Sequence, residues 1–312
     1  MTEFNLKGQV IWVAGHNGMV GSAICRQLEN NDCKIVTVDR SEVDLRNATE
    51  VEAWMNDMKP DVVFLAAATV GGILANNTRP AEFIRDNLAI ELNVIHSAWQ
   101  TNVKKLLLLG SSCIYPKLSA QPITEDSLLT GPLEPTNQWY AVAKIAGIKL
   151  CQAYRLQYGV NFISAMPTNL YGPGDNFDLE SGHVMPSLMR KIHEAKLTNA
   201  EKVTIWGSGK PCREFLYVDD CADALIHIMQ LYSGENPLNV GCGKDISILA
   251  LAAQIADVVG YEGDFVFDTT KPDGTPRKLL DISRLKKLGW KPSTDFNHGL
   301  KLTYEWYKAN NR

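Results

Sequence analysis

Several features that define other protein classes are missing from this chain of 312 residues. No window of about 18 consecutive apolar residues occurs, so the sequence predicts no membrane-spanning helix and no membrane partner. The formal net charge is only −4, which argues against a large basic face and therefore against a nucleic-acid partner. The first five residues have no basic head and no apolar core of a secretion signal, so we expect a cytoplasmic protein.

Cysteine is sparse and shows no pattern. The seven cysteines are odd in number and scattered along the chain, and no Cys-x-x-Cys pair occurs. This distribution indicates reduced thiols rather than a disulfide framework, and it provides no zinc ligand set. We therefore predict no metal site.

What is present is a regular alternation of short apolar runs with amphipathic stretches. The apolar runs are residues 9–14, 34–38, 61–68, 105–109 and 161–166, and helical stretches include 22–28, 86–100 and 140–158. This alternation predicts an α/β fold, a doubly wound parallel sheet of the Rossmann type with ligands at the carboxyl ends of the strands. We assign residues 1–166 to this domain, with a return segment at about 214–242. Residues 167–213 and 243–312 are expected to form a smaller C-terminal lobe that binds substrate.

A glycine turn follows the first apolar run and precedes the first helix. Glycines in such a turn let the backbone approach a pyrophosphate, and the helix N-terminus offers free N–H groups to it. The spacing is Gly-x-x-Gly-x-x-Gly, from Gly15 to Gly21. The residues predicted to contact a dinucleotide here are Gly15, His16, Asn17, Gly18, Met19, Val20 and Gly21.

The end of the second run predicts which dinucleotide is bound. An acid at this position favours a free ribose 2′-hydroxyl, whereas an arginine accommodates a 2′-phosphate. The chain has both, as Asp39 and Arg40. We predict NADP (NADPH), read through Arg40, with Asp44 and Leu45 bordering the adenine.

The third and fourth runs end in residues suited to a ligand site. Small residues, Ala66, Ala67 and Ala68, let a cofactor pass close to the backbone, and residues 70–73 are expected to form a loop over the site. The fourth run delivers Ser111, and Tyr140 and Lys144 follow four residues apart. Positions i and i+4 share a helix face, so Lys144 can lie beneath Tyr140 and favour its phenolate. Ser111 would hydrogen-bond the carbonyl oxygen that Tyr140 protonates.

Together these motifs resemble the extended short-chain dehydrogenase/reductase family, essentially from end to end. The segments that carry the resemblance are residues 15–22, 70–73, 109–117, 140–149, 167–173, 206–209, 213–215 and 271–281. The most specific are Gly-Ser-Ser-Cys-Ile-Tyr-Pro-Lys and Pro-Asp-Gly-Thr-Pro-Arg-Lys. The resemblance implies 3,5-epimerisation and 4-reduction of GDP-4-keto-6-deoxy-D-mannose, and a homodimer formed through helices 86–100 and 140–158.

The resemblance also implies a role for each site residue. Cys113 and His183 would be the base and acid of epimerisation, since thiols and imidazoles titrate at about 8.5 and 6.5. Ser111 and Tyr140 would polarise the C4 oxygen, and Lys144 would hold the nicotinamide ribose. Further cofactor contacts implied are Leu109, Gly110, Ser111, Ser112, Tyr140, Lys144, Pro167, Thr168, Asn169, Leu170 and His183. Substrate contacts implied are Lys191, Trp206, Arg213, Asp273 and Lys278, with Lys191 standing where an arginine is expected.

Three alternatives stay open from the sequence. One is the related synthesis of GDP-L-colitose from a 3,6-dideoxy ketone, in which only C5 is inverted. A second is a sugar-nucleotide 4,6-dehydratase, which is disfavoured because no carboxylate lies at residues 111–113. The third is a Rossmann-type binding module without turnover, since fold alone does not establish catalysis. The intact Ser111, Tyr140 and Lys144 set argues against that reading.

Overall fold

The computed structural model of the protein describes residues 3–271 and 273–310. In this part of the chain the strands are β1 (Val10–Ala14), β2 (Lys34–Val36), β3 (Val62–Leu65), β4 (Lys105–Leu109), β5 (Phe162–Pro167), β6 (Asn169–Tyr171), β7 (Lys202–Trp206), β8 (Cys212–Tyr217), β9 (Leu238–Val240), β10 (Asp245–Ser247), β11 (Asp264–Asp268) and β12 (Arg277–Lys278). The α-helices are α1 (Met19–Leu28), α2 (Ala48–Met58), α3 (Ile73–Thr78), α4 (Pro80–Gln100), α5 (Gln138–Tyr158), α6 (Val184–Leu197), α7 (Val218–Leu231), α8 (Ile248–Val259), α9 (Ser283–Lys287) and α10 (Phe296–Asn310). Single 3-10 turns lie at Ser112–Ile114 and Glu125–Ser127.

The large sheet has the strand order β2-β1-β3-β4-β5-β9, and every pairing in it is parallel. Strands β3 and β4 are buried along their whole length, as expected for central strands covered on both faces. One core cluster joins the sheet to α1 and α7, and a second joins the opposite face to α2, α4 and α5. The predicted doubly wound parallel sheet is therefore confirmed.

Apolar side chains along these strands account for the two cores. Val62 and Phe64 of β3 point to the α1 and α7 face, and Val63 and Leu65 point to the other. All four are almost completely buried. Burial of such side chains contributes roughly 1.5–3 kcal/mol each relative to exposure.

A smaller lobe is built around β8, which pairs in parallel with β6 and β12 and antiparallel with β10. Strands β7 and β11 form a separate parallel pair. Helices α6, α8 and α10 cover these strands and share a third core cluster with them. The lobe begins directly where β5 of the large sheet passes into β6.

The chain crosses between the large sheet and the smaller lobe at positions that differ from the boundaries predicted from the sequence. Residues 214–217 belong to β8 of the smaller lobe, so the return to the large sheet begins with α7 and β9 rather than at residue 214. A second return follows β12, because Leu280 and Ile282 join the core on one face and Leu285 and Trp290 join the core on the other. Isolated apolar residues of a connecting segment give no sequence signal of which core they enter.

Helix α4 begins six residues earlier than the sequence pattern indicated, with Pro80 in its first turn, a position that favours proline. The apolar side chains of this helix are not all buried. Ile95 is buried against the sheet, but Leu88 and Leu92 are 37% and 53% exposed. Trp139 and Val142 of the neighbouring α5 are exposed as well. Association into a homodimer through these helices stays a prediction.

Two further findings concern the chain as a whole. In the described residues no helix is both long enough and apolar enough to cross a membrane. The seven cysteines, all within the described ranges, carry free thiols, and Cys113, Cys151 and Cys221 are buried.

Candidate active site

The glycine turn between β1 and α1 brings the backbone close to the end of β3. Gly15 has φ of +93°, and a Cβ atom built on it would lie 2.6 Å from the backbone nitrogen of Ala67. A Cβ on Gly21 would lie 2.1 Å from the Gly15 carbonyl oxygen. Both positions therefore require glycine. Gly18 caps α1 without a side-chain hydrogen bond, so the first N–H groups of the helix are free for a phosphate.

Asp39 is tied to this turn by its side chain. The Nδ2 atom of Asn17 donates to Asp39 Oδ2 at 2.8 Å, and the N–H and hydroxyl of Ser41 donate to Oδ1. The hydrogen bonds from Ser41 hold the pKa of Asp39 below its ordinary value. An ionised carboxylate thus stands where the adenosine ribose is expected.

Arg40 and Asp44 have different degrees of freedom. The Arg40 side chain is 69% exposed, and its Nε atom lies 4.0 Å from Asp44 Oδ2, which is a long contact. The guanidinium can therefore turn towards a 2′-phosphate. Asp44 instead forms a close ion pair with Arg46, whose hydrogen bonds lower the pKa of Asp44 to about 2. Arg46 also reaches Asp86 of α4. Asp44 and the half-buried Leu45 therefore border the adenine region with a carboxylate that is already paired.

The loop before α3 lies against the segment that precedes His183. The N–H of Gly72 donates to the carbonyl oxygen of Ser181 at 2.8 Å. A Cβ atom on Gly72 would lie 2.7 Å from the carbonyl oxygen of Gly182. The loop thus lies against the segment that leads into His183, and its place over the site stays a prediction.

Ser111 and Cys113 share one tight turn at the end of β4. Ser111 precedes the 3-10 turn Ser112–Ile114, and its hydroxyl accepts a hydrogen bond from the Cys113 N–H at 3.4 Å. Burial raises the pKa of the Cys113 thiol, while Lys278, the Ser111 hydroxyl and Lys144 act in the opposite direction. The thiol is therefore protonated at rest, with cations nearby that would favour its thiolate.

Lys144 does lie beneath Tyr140, with Nζ 5.8 Å from the centroid of the phenol ring. The same Nζ is 3.0 Å from Oε1 of Glu91 on α4, and both side chains are only 2% exposed. Burial, Cys113 and Glu91 all raise the pKa of Tyr140 well above its ordinary range. The expectation that Lys144 lowers the pKa of Tyr140 is therefore wrong for this structure, chiefly because the phenol is fully buried, with Cys113 and Glu91 acting in the same direction as burial.

Glu91 is a site residue that the sequence analysis missed. The available signal was that Glu91 lies on the same buried side of α4 as Asn87 and Ile90. A buried carboxylate indicates a nearby cation but does not identify it.

His183 is the N-cap residue of α6, which begins at Val184. Its ring reaches solvent, yet desolvation by surrounding residues, and then Lys278, lower the pKa of the imidazole. Solvent access together with desolvation indicates a side chain that lines a depression rather than a convex surface. Lys278 is thus close enough to shift the pKa of both Cys113 and His183.

The remaining substrate residues assigned from the sequence lie on the smaller lobe. Arg213 is opposite Lys278 in the β8–β12 pairing, and burial lowers its pKa. Nζ of Lys191 lies 4.7 Å from the ring centroid of Trp206, which is 50% exposed. Asp273 accepts hydrogen bonds from the N–H and hydroxyl of Ser208, so its contact is with a turn of the chain. A role for Asp273 in substrate binding stays a prediction. Pro272 in the same segment lies outside the described residues.

The β5–β6 junction places another group of the assigned cofactor residues. Thr168 donates through its N–H to the Val240 carbonyl, and Asn169 Nδ2 donates to the Glu214 carbonyl at 2.8 Å. Gly110 is packed so tightly that a Cβ atom would lie 2.4 Å from the Met166 side chain. The strand ends that carry these residues belong to neighbouring strands of the large sheet, β4 and β5.

The site as a whole offers two kinds of proton transfer. Ser111 and Tyr140 provide two hydroxyl groups, while Cys113 and His183 are a thiol and an imidazole with pKa values shifted in opposite directions. Lys278 and Arg213 add positive charge beside them. Such a set suits an anionic substrate with a carbonyl group and acidic neighbouring hydrogens.

Comparisons with known proteins agree with this chemistry. The NAD dependent epimerase/dehydratase family matches residues 11–241. The chain is 58% identical over 310 residues to a GDP-L-fucose synthase of Sinorhizobium fredii, with 99% of each chain covered. It is 54% identical over 312 residues to the GDP-L-fucose synthase of Escherichia coli, with 97% of each covered.

More distant relatives were found as well. A GDP-L-colitose synthase of Yersinia pseudotuberculosis is 38% identical over 299 residues, which are 95% of this chain and 97% of that protein. The crystal structure of a GDP-L-fucose synthetase from Naegleria fowleri bound to NADP is similar with a TM-score of 0.91 and 31% identity. That match covers 99% of this chain and 97% of the other.

Proposed function

The chain belongs to the NAD dependent epimerase/dehydratase family, and on that premise we propose that it converts GDP-4-keto-6-deoxy-D-mannose into GDP-L-fucose with NADPH. One observation carries the proposal. Ser111 and Cys113 share a turn beside Tyr140, in a chain 58% identical to a GDP-L-fucose synthase along 99% of its length.

Epimerisation is assigned to Cys113 and His183. The ketone at C4 acidifies the hydrogens on C3 and C5, so a base can remove each one and an acid can return it on the opposite face. Cys113 acts as the base, and the Lys278 ammonium favours the thiolate that this requires. His183 acts as the acid, and the desolvation and the Lys278 charge that lower its pKa make its protonated form a stronger proton donor.

Reduction is assigned to Ser111, Tyr140 and Lys144. The hydroxyls of Ser111 and Tyr140 hydrogen-bond the C4 oxygen while the enolate forms, and Tyr140 then gives its proton to that oxygen. Its raised pKa keeps the phenol protonated and ready for this step. The bound cofactor supplies a hydride to C4. One group of donors thus serves both reactions, because both develop negative charge on the same oxygen.

The chain has suitable residues to hold NADPH. The turn has no room for a side chain at Gly15 or Gly21, and the first N–H groups of α1 are free for the pyrophosphate. Arg40 is exposed and can contact a 2′-phosphate. Lys144 would contact the nicotinamide ribose.

The GDP group is assigned to the smaller lobe. Trp206 presents an exposed ring beside Lys191, which suits a base and its phosphates. Arg213 and Lys278 lie side by side on β8 and β12 and offer two cations to the diphosphate. These contacts would place the sugar ring between the two parts of the chain.

The test is product analysis by NMR after mixing the protein, NADPH and the GDP-linked ketone in heavy water. The proposal requires a product of L-fucose configuration with deuterium at both C3 and C5. The protein would instead be a GDP-L-colitose synthase if it did not turn over this ketone but reduced the 3,6-dideoxy ketone. That product would carry deuterium at C5, where the centre is inverted. The absence of turnover with either ketone would reject both assignments.

A further inference from the structure

Glu91 is a buried carboxylate that the reaction described above does not use. It lies on α4, its residue exposure is 1%, and its Oε1 atom is 3.0 Å from Nζ of Lys144 on α5. A buried ion pair gains little stability over apolar packing, because desolvation of both charges opposes their attraction. Its presence directly beneath Tyr140 therefore points to a role in the site.

The neighbouring helix is shaped to admit this carboxylate. A Cβ atom on Gly147 would lie 2.3 Å from Oε2 of Glu91 and 2.9 Å from a methyl group of Leu108. Gly147 carries no side chain, and the Glu91 carboxylate takes the space that a Cβ atom there would fill. Gly147 lies within a helix and one turn after Lys144, so glycine here is needed for space and not for backbone conformation. Both charged atoms of the pair thus have fixed positions.

The ionisable groups that face the pair come from three elements. Tyr140, Lys144 and Cys151 lie on α5, Cys113 lies on the turn after β4, and Glu91 itself lies on α4. The strand packed beneath, β4, contributes the apolar Leu108. Burial raises the pKa of Glu91, while the Lys144 ammonium 3.0 Å away acts in the opposite direction and favours the carboxylate. Lys144 is the cation beside the Tyr140 ring, and Glu91 is its partner.

We propose that Glu91 is a positioning residue that anchors Lys144 and offsets its charge, so that Tyr140 is held as a proton donor for ketone reduction. This inference rests on the proposed function. An uncompensated ammonium beneath a phenol stabilises the phenolate, which can accept a proton but not give one. The Glu91–Lys144 pair keeps the ammonium in place for the ribose and weakens its effect on the phenol.

The variant Glu91→Gln tests this assignment, because it keeps the shape of the side chain and removes its charge. Rates of NADPH oxidation by the GDP-linked ketone are measured in single turnovers from about pH 7 to about pH 12, because the ordinary phenol pKa is about 10 and burial raises that of Tyr140. In the wild type the rate falls at high pH as Tyr140 loses its proton, and this falling part of the pH–rate profile is its alkaline limb. In Glu91→Gln the limb should move to lower pH by about one unit or more. Glu91→Asp should move it by less. A rate that falls equally at every pH, with the limb unmoved, would overturn the proposal.

A matched control is Asp86→Asn, which removes another buried carboxylate from the same helix. Asp86 is paired with Arg46 and Arg85 rather than with Lys144. It should leave the position of the limb unchanged. A movement equal to that of Glu91→Gln would show a general effect of the lost charge and would also overturn the proposal.

A second measurement needs no turnover and so separates this inference from the proposed function. The Tyr140 phenol is titrated by ultraviolet difference absorption in wild type and in Glu91→Gln, with Tyr140→Phe in each background to isolate its signal. The phenol should titrate at lower pH in Glu91→Gln. If Glu91→Gln does not fold, Gly147→Ala replaces it, since the added methyl displaces the carboxylate and should shift the titration in the same direction. An unchanged titration in the folded variant would refute the role of Glu91.

Discussion

The N–H of Gly72 and the carbonyl oxygen of Ser181 are joined by a hydrogen bond of 2.8 Å, which connects the loop before α3 to the segment leading into His183. This contact holds together two parts of the chain that are more than one hundred positions apart in the sequence. It therefore bears on where the imidazole stands relative to Cys113.

We expect Gly72→Ala to slow epimerisation. The added methyl group would lie 2.7 Å from the Gly182 carbonyl oxygen and would displace the segment that carries His183. Deuterium exchange into the substrate should fall by about 10- to 100-fold, while NADPH affinity stays unchanged. Gly159→Ala is the control, because that residue has φ of +70° but no neighbour within 4 Å of an added Cβ. Gly159→Ala should lower stability by about 1 kcal/mol without slowing exchange.

Cys113→Ser should abolish exchange at C3 and C5 with the fold intact. A hydroxyl of the same shape loses its proton far less readily than a thiol, so exchange should fall by about 100-fold or more. Exchange is followed by NMR in heavy water and folding by thermal denaturation. Cys221→Ser offers a comparison, since that thiol is equally buried but lies on α7. Undiminished exchange in Cys113→Ser would remove this residue from the reaction.

The pH dependence of exchange should report on Lys278. Burial raises the pKa of Cys113 and the Lys278 ammonium lowers it, so removing that ammonium raises the pKa further. Exchange that needs the thiolate increases as pH rises through this pKa. Lys278→Met should therefore move that increase to higher pH, by about one unit.

The neighbouring Arg277→Met provides the control for Lys278, because Arg277 is paired with Asp245. That variant should leave the position of the increase where it is in the wild type. Equal profiles for Lys278→Met and wild type would contradict the electrostatic role of Lys278.

Arg40→Ala should weaken binding of NADPH far more than binding of NADH. Loss of a charged hydrogen bond costs about 1.5–3 kcal/mol, which is a loss of about 10- to 100-fold in NADPH affinity. Asp39 remains ionised next to this position and accepts a hydrogen bond from Asn17, so it favours a free ribose hydroxyl. Affinities are measured by fluorescence titration, with Arg79→Ala as an exposed control paired to Glu82. Equal losses for the two cofactors would show that Arg40 does not contact the phosphate.

Sequence patterns were sufficient wherever function depends on local chain geometry. The spacing of Gly15 and Gly21 predicted a close backbone approach, and the four-residue spacing of Tyr140 and Lys144 predicted that one lies beneath the other. What the patterns did not contain was the partner of Lys144. Glu91 is more than fifty positions away, and only the packing of α4 on α5 brings the two charges together. The direction of the Tyr140 pKa was mispredicted chiefly because the phenol is buried, and the Glu91 carboxylate adds to that effect.

The contrast between local patterns and contacts distant in the sequence also explains why the boundaries of the large sheet and the smaller lobe were mispredicted. Pairing with β6 and β12 decides that β8 joins the smaller lobe and not the large sheet. No local pattern encodes that choice. The resemblance implied a substrate contact for Asp273, and its hydrogen bonds with Ser208, 65 positions earlier, could not be predicted from the sequence.

The second return of the chain to the large sheet has a consequence for synthesis. Leu280 and Ile282 complete the core on one face of that sheet, and Leu285 and Trp290 complete it on the other. A nascent chain that has passed only its first two hundred and fifty residues through the ribosome lacks all four. The cofactor-binding half, though encoded first, can finish packing only once nearly the entire polypeptide has been translated.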